Sequence, residues 1–115
     1  MATKREVEGK LRELMGRLAA AEQVHGTLSE GLPDGKVLAV RVTDLDAEYW
    51  TVMDRGTMGG LHPGSPERAD IRMRVDSDHL VDLVDGRASM LTSFVTGKVK
   101  IEASVTDLMR LRRMA

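Results

Sequence analysis

The sequence predicts an α+β domain, a small sheet with helices covering one of its faces. Three observations lead there. Apolar residues recur at helical spacing over residues 4–21 and at strand spacing between 37 and 75. Clusters of Gly, Pro and Asp separate the strand-like segments. The remaining helical segments gather between the fourth and fifth strands and at the C-terminal end, instead of alternating strand by strand as a parallel α/β sheet would require.

The elements follow in order. Thr3 and Glu6 form a T-x-x-E capping box, and Val7, Leu11, Leu14, Met15 and Leu18 then repeat on one face, so a helix is expected to about Ala21. Acid-before-base pairs four apart (Glu6 and Lys10, Glu8 and Arg12, Glu13 and Arg17) suit its solvated face. Gly9 and Gly16 each cost about 1 kcal/mol in a helix interior and are read as tolerated. Val37–Thr43 is apolar on both faces apart from Arg41, as a central strand is. EYWTVMD, 48–54, makes the next strand, and the Gly- and Pro-rich stretch to Pro66 a hairpin and loop with a weak edge strand over 57–61. In ADIRMRVD, Ile71, Met73 and Val75 point inward and Arg72 and Arg74 outward.

Asp76 or Ser77 then caps a short helix carrying Leu80, Leu83 and Val84, which Gly86 stops. A second short helix, 88–96, carries Met90, Leu91, Phe94 and Val95, with the Phe94 ring expected to face inward, and ends at Gly97. Lys98 opens a strand with Val99, Ile101 and Ala103 inward. A last helix capped by Ser104 carries Val105, Leu108 and Met109 on one face and ends in Arg110, Arg112 and Arg113.

Composition excludes several functions. One domain of 115 residues is large enough for a core of its own, and without cysteine it has neither a thiol nucleophile nor thiolate metal sites; a reducing, cytoplasmic setting is expected. A net charge of -1 offers no general attraction for nucleic acid, so no nucleic-acid partner is expected. Lys4 onward is charged and no apolar run nears the roughly 18 residues of a spanning helix, so neither a leader nor stable membrane insertion is expected. Eight methionines against one Phe, one Trp and one Tyr suit an adaptable apolar interior or ordinary packing.

Catalytic motifs fail on inspection. Gly97 and Lys98 are followed by Val99, and Thr92 stands where a phosphate loop needs glycine, so the pair is read as a helix stop instead. His25, His62 and His79 have no metal-ligand spacing, and the acidic first turn around His79 suits the helix dipole. No G-x-S-x-G context supports a hydrolase. No catalytic residue, metal or cofactor is expected. What remains is an apolar surplus on the two short helices, facing Met73, Val99 and Ile101, which periodicity cannot divide between a plain core and a pocket.

Residues 69–114, from Ala69-Asp70 through the acidic helix start, the spaced Gly86, Phe94 and Gly97-Lys98-Val99-Lys100-Ile101 block and the closing amphipathic helix, resemble the sterol carrier protein type 2 family. The resemblance implies a five-stranded mixed, largely antiparallel sheet covered by helices, with an apolar cavity between the layers that takes fatty acids, acyl-CoA, sterols or similar lipids. One departure stands out: EASVTD, 102–107, lacks the glycine that the family usually carries before its last helix, and the chain closes without a Ser-Lys-Leu ending.

The function expected is therefore a small lipid carrier, not an enzyme. Met73, Leu80, Leu83, Val84, Met90, Leu91, Phe94, Val99, Ile101, Val105, Leu108 and Met109 would line the ligand and Arg110 and Arg112 would meet its head group. Two alternatives stand beside it: a cavity adapted to biosynthetic cyclisation or isomerisation of an apolar intermediate, and an interaction or dimerisation domain with a filled core.

Overall fold

A computed structural model describes residues 1–25, 35–54, 57–104 and 109, without the side chains of 18–25, 54, 57 and 58. Helix α1 runs Lys4–His25, four residues beyond the expected end. It is followed by β1 (Lys36–Val42), a 3-10 turn (Thr43–Leu45), β2 (Ala47–Asp54), β3 (Thr57–Met58), β4 (His62–Pro63) and β5 (Ile71–Val75). Then come α2 (Ser77–Val84), α3 (Met90–Val95) and β6 (Lys100–Ala103).

The sheet order is β3-β2-β1-β5-β6, with β4 also paired to β2. The two short strands meet different stretches of β2, β3 against Met53 and Asp54 and β4 against Tyr49 and Trp50. They share one edge position, so six strands occupy the five places expected. Gly59 and Gly60 separate them, and the Gly59 N–H still bonds the Val52 carbonyl. The sheet is mixed because β5 runs parallel to β1 while every other pairing is antiparallel.

Register decides which residues share a face. Val40 stands opposite Tyr49 and Met73, and Val42 opposite Ala47 and Val75, so these line the covered side. There they join Val7 and Leu11 of α1, Leu80 and Val84 of α2, and Val99 in one buried cluster. Each fully buried Val or Leu side chain contributes about 1.5–3 kcal/mol before the entropy of ordering. Leu38, Met53 and Ile71 extend the same face toward the other end of the strands.

The other face is closed by charge. Glu48 is only 6% exposed there, and its carboxylate accepts from Arg72 (3.2 and 3.3 Å) and Ser65 (3.3 Å). Arg41 lies 3.8 Å away, and Arg74 pairs with Glu102 at 3.0 Å. His62, which the sequence places in the Gly- and Pro-rich loop, stacks on Trp50 with ring centroids 4.4 Å apart.

Helix α1 keeps its expected cap: the Glu6 N–H donates to Thr3 Oγ1 at 3.1 Å and the Thr3 N–H to Glu6 Oε1 at 3.4 Å. Glu8 with Arg12 and Glu13 with Arg17 pair as expected. The Glu6 and Lys10 pair does not form. Glu6 is engaged by the cap, and Lys10 reaches Asp85 at the end of α2 instead, at 2.5 Å. Arg17 donates to the Val84 carbonyl, so two cations of α1 meet the C-terminal end of α2, where the helix dipole favours them. No Cβ added at Gly9 or Gly16 would touch another group, which fits tolerance and not close packing.

Candidate functional site

The candidate site is built on α2 and α3, the pair between β5 and β6. Asp76 caps α2, its carboxylate accepting from the His79 N–H at 2.7 Å. The first residue of α2, Ser77, is fully buried and donates through both its N–H (2.8 Å) and its hydroxyl (2.6 Å) to Asp44. These bonds hold the Asp44 carboxyl below the ordinary carboxylate range. At the far end, the hydrogen bond from Lys10 lowers Asp85 in the same way. The helix is therefore fixed at both ends and buries Leu80 and Val84 between them.

Helix α3 begins at Ser89, whose hydroxyl accepts from the Thr92 N–H, and ends where Gly97 turns left-handed at φ 79°. It buries a single residue, Ser93. The Ser93 hydroxyl lies 2.6 Å from the Ser89 carbonyl and 2.6 Å from His79 Nε2. A carbonyl only accepts, so the one hydroxyl proton goes to Ser89. His79 Nε2 must then carry the proton it donates to Ser93. The pair is a clasp between α2 and α3, and His79 is not placed to take a proton from this serine. Backbone adds a second tie, since the Val99 N–H donates to the Ser93 carbonyl at 3.1 Å.

This clasp explains the main correction to the sequence reading. Phe94 does not turn inward: it is 45% exposed, with Met90 at 41%, Leu91 at 60% and Val95 at 75%. At about 100° per residue these four form one stripe, and Ser93 lies well to the side of it. Because α3 seats on the body through Ser93, its apolar stripe is left at the surface. The helix is also shorter than expected, six residues in place of 88–96. Lys98 precedes β6 instead of opening it, although Val99 is buried to 1% and Ile101 and Ala103 face the covered side as expected.

The twelve expected lining residues thus separate. Leu80, Val84 and Val99 are core, at 1%, 3% and 1% exposure, and present no free surface. Met73, Leu83 and Ile101 are partly buried and pack against that core. Met90, Leu91, Phe94 and Met109 are exposed. Val105 and Leu108, with the head-group candidates Arg110 and Arg112, lie outside the described residues. Ser89, Ser93 and Asp44, which help to orient the two helices, were not singled out by the sequence, and His79 was weighed there only as a metal ligand and set aside. The spacing of Ser89 and Ser93, four apart on a short helix, is the one signal of a side chain bonding back to its own backbone.

A different opening lies between the first turns of α1 and the β2 and β4 edge. It measures about 420 Å³ and is lined by Lys4, Glu8, Arg41, Asp46, Glu48, Tyr49 and Ser65 among others. Such charged walls do not suit an acyl chain. Tyr49 is buried beneath it, and burial together with the neighbouring Glu8 carboxylate raises its phenol above the ordinary value. Among the described residues there is no cluster of His, Asp or Glu able to hold a metal. No described helix is long and apolar enough to cross a membrane.

Solved structures share this architecture. The UbiJ-SCP2 ubiquinone synthesis protein superposes with a TM-score of 0.68 at 17% identity, covering 96% of this chain and 94% of its own. The sterol carrier protein domain 2 of Helicoverpa armigera gives 0.61 at 24% identity, over 91% and 84%. The stereoselective inverting sec-alkylsulfatase Pisa1 from Pseudomonas sp. gives 0.58 at 16% identity; the match covers 76% of this chain but spans only 13% of the sulfatase. A comparison with curated protein sequences finds no match. The profile of the SCP-2 sterol transfer family matches residues 8–115, which includes the sheet, α2, α3 and all but the first turn of α1, and the chain belongs to that family.

Proposed function

We propose that this protein is a lipid carrier module that shelters an apolar ligand between the covered face of its sheet and its helices. Family membership over residues 8–115 is the observation that carries the reading. The residues support it. Met73 and Ile101 sit side by side on β5 and β6, apolar and only partly covered, and Leu83 of α2 packs near the same cluster. Met90, Leu91 and Phe94 stand in solvent and add nothing to this support, which comes from Met73, Ile101 and Leu83.

Desolvation would supply the affinity. Each buried CH₂ of an acyl chain contributes about 0.8 kcal/mol, so a long chain gains roughly 10 kcal/mol before the costs of ordering. Fatty acid, acyl-CoA and sterol are the ligand classes considered, and Arg110 and Arg112 are the cations proposed for an anionic head. The reading requires no catalytic group. A fluorescent fatty acid is expected to bind at micromolar concentration and to be displaced by unlabelled acyl chains, and native mass spectrometry of the purified protein is expected to show a retained lipid. Absence of binding or displacement with acyl, sterol and acyl-CoA ligands alike would favour the filled-core interaction domain instead.

A further inference from the structure

The exposed stripe of α3 lies in an unusual electrostatic setting. The chain holds 18 acidic residues, yet none between Gly86 and Ile101, a stretch that contains α3 and three cations, Arg87, Lys98 and Lys100. The acids at its borders are neutralised. Asp82 and Asp85 pair with Arg87, Asp85 also pairs with Lys10, and Glu102 pairs with Arg74. Lys98 and Lys100 are exposed and form no ion pair among the described residues. Among the described residues, four apolar side chains of α3 therefore stand in solvent with Lys98, an exposed cation with no ion pair, close after them in the chain, while Lys100 lies beside Arg74 on the open face of the sheet.

We propose that α3 is the element by which this protein docks on the surface of an anionic bilayer, inserting Met90, Leu91, Phe94 and Val95 at the level of the head groups while Lys98 meets the negative lipid charge. An apolar face with flanking cations is what interfacial association with anionic lipid needs. A folded protein partner fits less well. A stable protein interface takes about 20–30 residues a side, and α3 offers four on less than two turns. The Ser93 and His79 clasp holds the helix by its polar side and so keeps the stripe outward. Docking rests on the carrier reading for its purpose, delivery of a lipid at a membrane, but on its own observations for its existence.

Partition into sedimentable vesicles tests it. With phosphatidylcholine vesicles containing about 30% phosphatidylserine, wild type is expected to bind at low ionic strength and to be released near 0.5 M salt, and pure phosphatidylcholine to retain little. Val95→Asp alters a residue outside the proposed ligand lining and is expected to reduce partition about tenfold. Lys98→Glu turns an attractive charge into a repulsive one, with a similar expected loss that disappears at high salt. Both positions are exposed, and unchanged circular dichroism would show that the variants fold.

Fatty acid binding measured without vesicles separates the two readings. Normal soluble binding with lost vesicle binding in the variants supports docking through α3. Vesicle binding that persists while no soluble lipid binds would remove the carrier reading and leave docking standing. Equal partition to neutral and anionic vesicles, no partition at all, or partition indifferent to both variants would overturn the proposal. So would a dimer in sedimentation that Val95→Asp dissociates, since the stripe would then belong to a second copy.

Discussion

Helices α2 and α3 are alike in sequence grammar and opposite in what they bury. Each starts at a polar cap, Asp76 or Ser89, and each is followed by a left-handed glycine, Gly86 or Gly97, both at φ 79°. Each carries apolar residues three or four apart. Yet α2 buries Leu80 and Val84, and α3 buries only Ser93. Local signals thus fix where a helix begins and ends, and partners elsewhere in the fold fix which side of it faces in. Helix α2 has those partners in Asp44, Lys10 and Arg17, whereas α3 is held by the hydroxyl of Ser93 and the backbone beside it.

The largest test of this contrast is to truncate one leucine on each helix. Leu80→Ala removes a side chain that is 1% exposed and is expected to lower stability by about 3 kcal/mol. Leu91→Ala, at 60% exposure, is expected to change it by less than about 0.5 kcal/mol. Denaturant unfolding of both variants measures the difference, and similar losses would show that the two helices are equally embedded.

A smaller effect is expected from the clasp. Ser93→Ala leaves the His79 Nε2 proton without its acceptor and should cost about 1–2 kcal/mol. Its more telling consequence is local: amide exchange over 90–95 should accelerate while that of 77–84 stays near the wild-type rate. Unchanged exchange in α3 would mean that the backbone bond from Val99 to Ser93 suffices to hold it.

The smallest expected effect depends on pH. Asp44 titrates below the ordinary value of 3.8 because the Ser77 hydroxyl and N–H bond its ionised form. The contribution is therefore complete above pH 3.8 and is lost as pH falls through the lower folded value. Asp44→Asn should lose about 1 kcal/mol at neutral pH and show a shallower acid dependence than wild type. No carboxylate lies between Gly86 and Ile101, so exchange in α3 should respond less to acid than exchange in α2. An equal response in both helices would show that acid acts on the whole fold and not through Asp44.

Much of the fold was legible because it rests on short-range physics. The Thr3 and Glu6 cap, the Asp76 cap, the stops at Gly86 and Gly97 and the alternation of Ile71, Met73 and Val75 are each set by residues within a turn or a strand of one another. The candidate site was legible only in part. Periodicity located Met90, Leu91 and Phe94 on one stripe but assigned the wrong direction to it, because apolar spacing states that a face exists and not what it meets.

By itself, then, the sequence determined the order of the first helix, the longer strands and the two short helices, the alternating strands and the family to which the chain belongs. It also determined the caps at Thr3 and Asp76 and the glycine stops, while the ends of α1 and α3 fell elsewhere than expected. Tertiary structure alone decided that β3 and β4 share one edge of the sheet, that Lys10 leaves Glu6 for Asp85, and that Glu48 is buried under Arg72 on the open face. It also decided that α3 turns Ser93 inward and Phe94 outward. The reason is the range of the interactions. A cap or a pleat is closed by neighbours in the chain, whereas the orientation of α3 depends on a histidine of another helix, fourteen residues away, and on competition for a single hydroxyl proton.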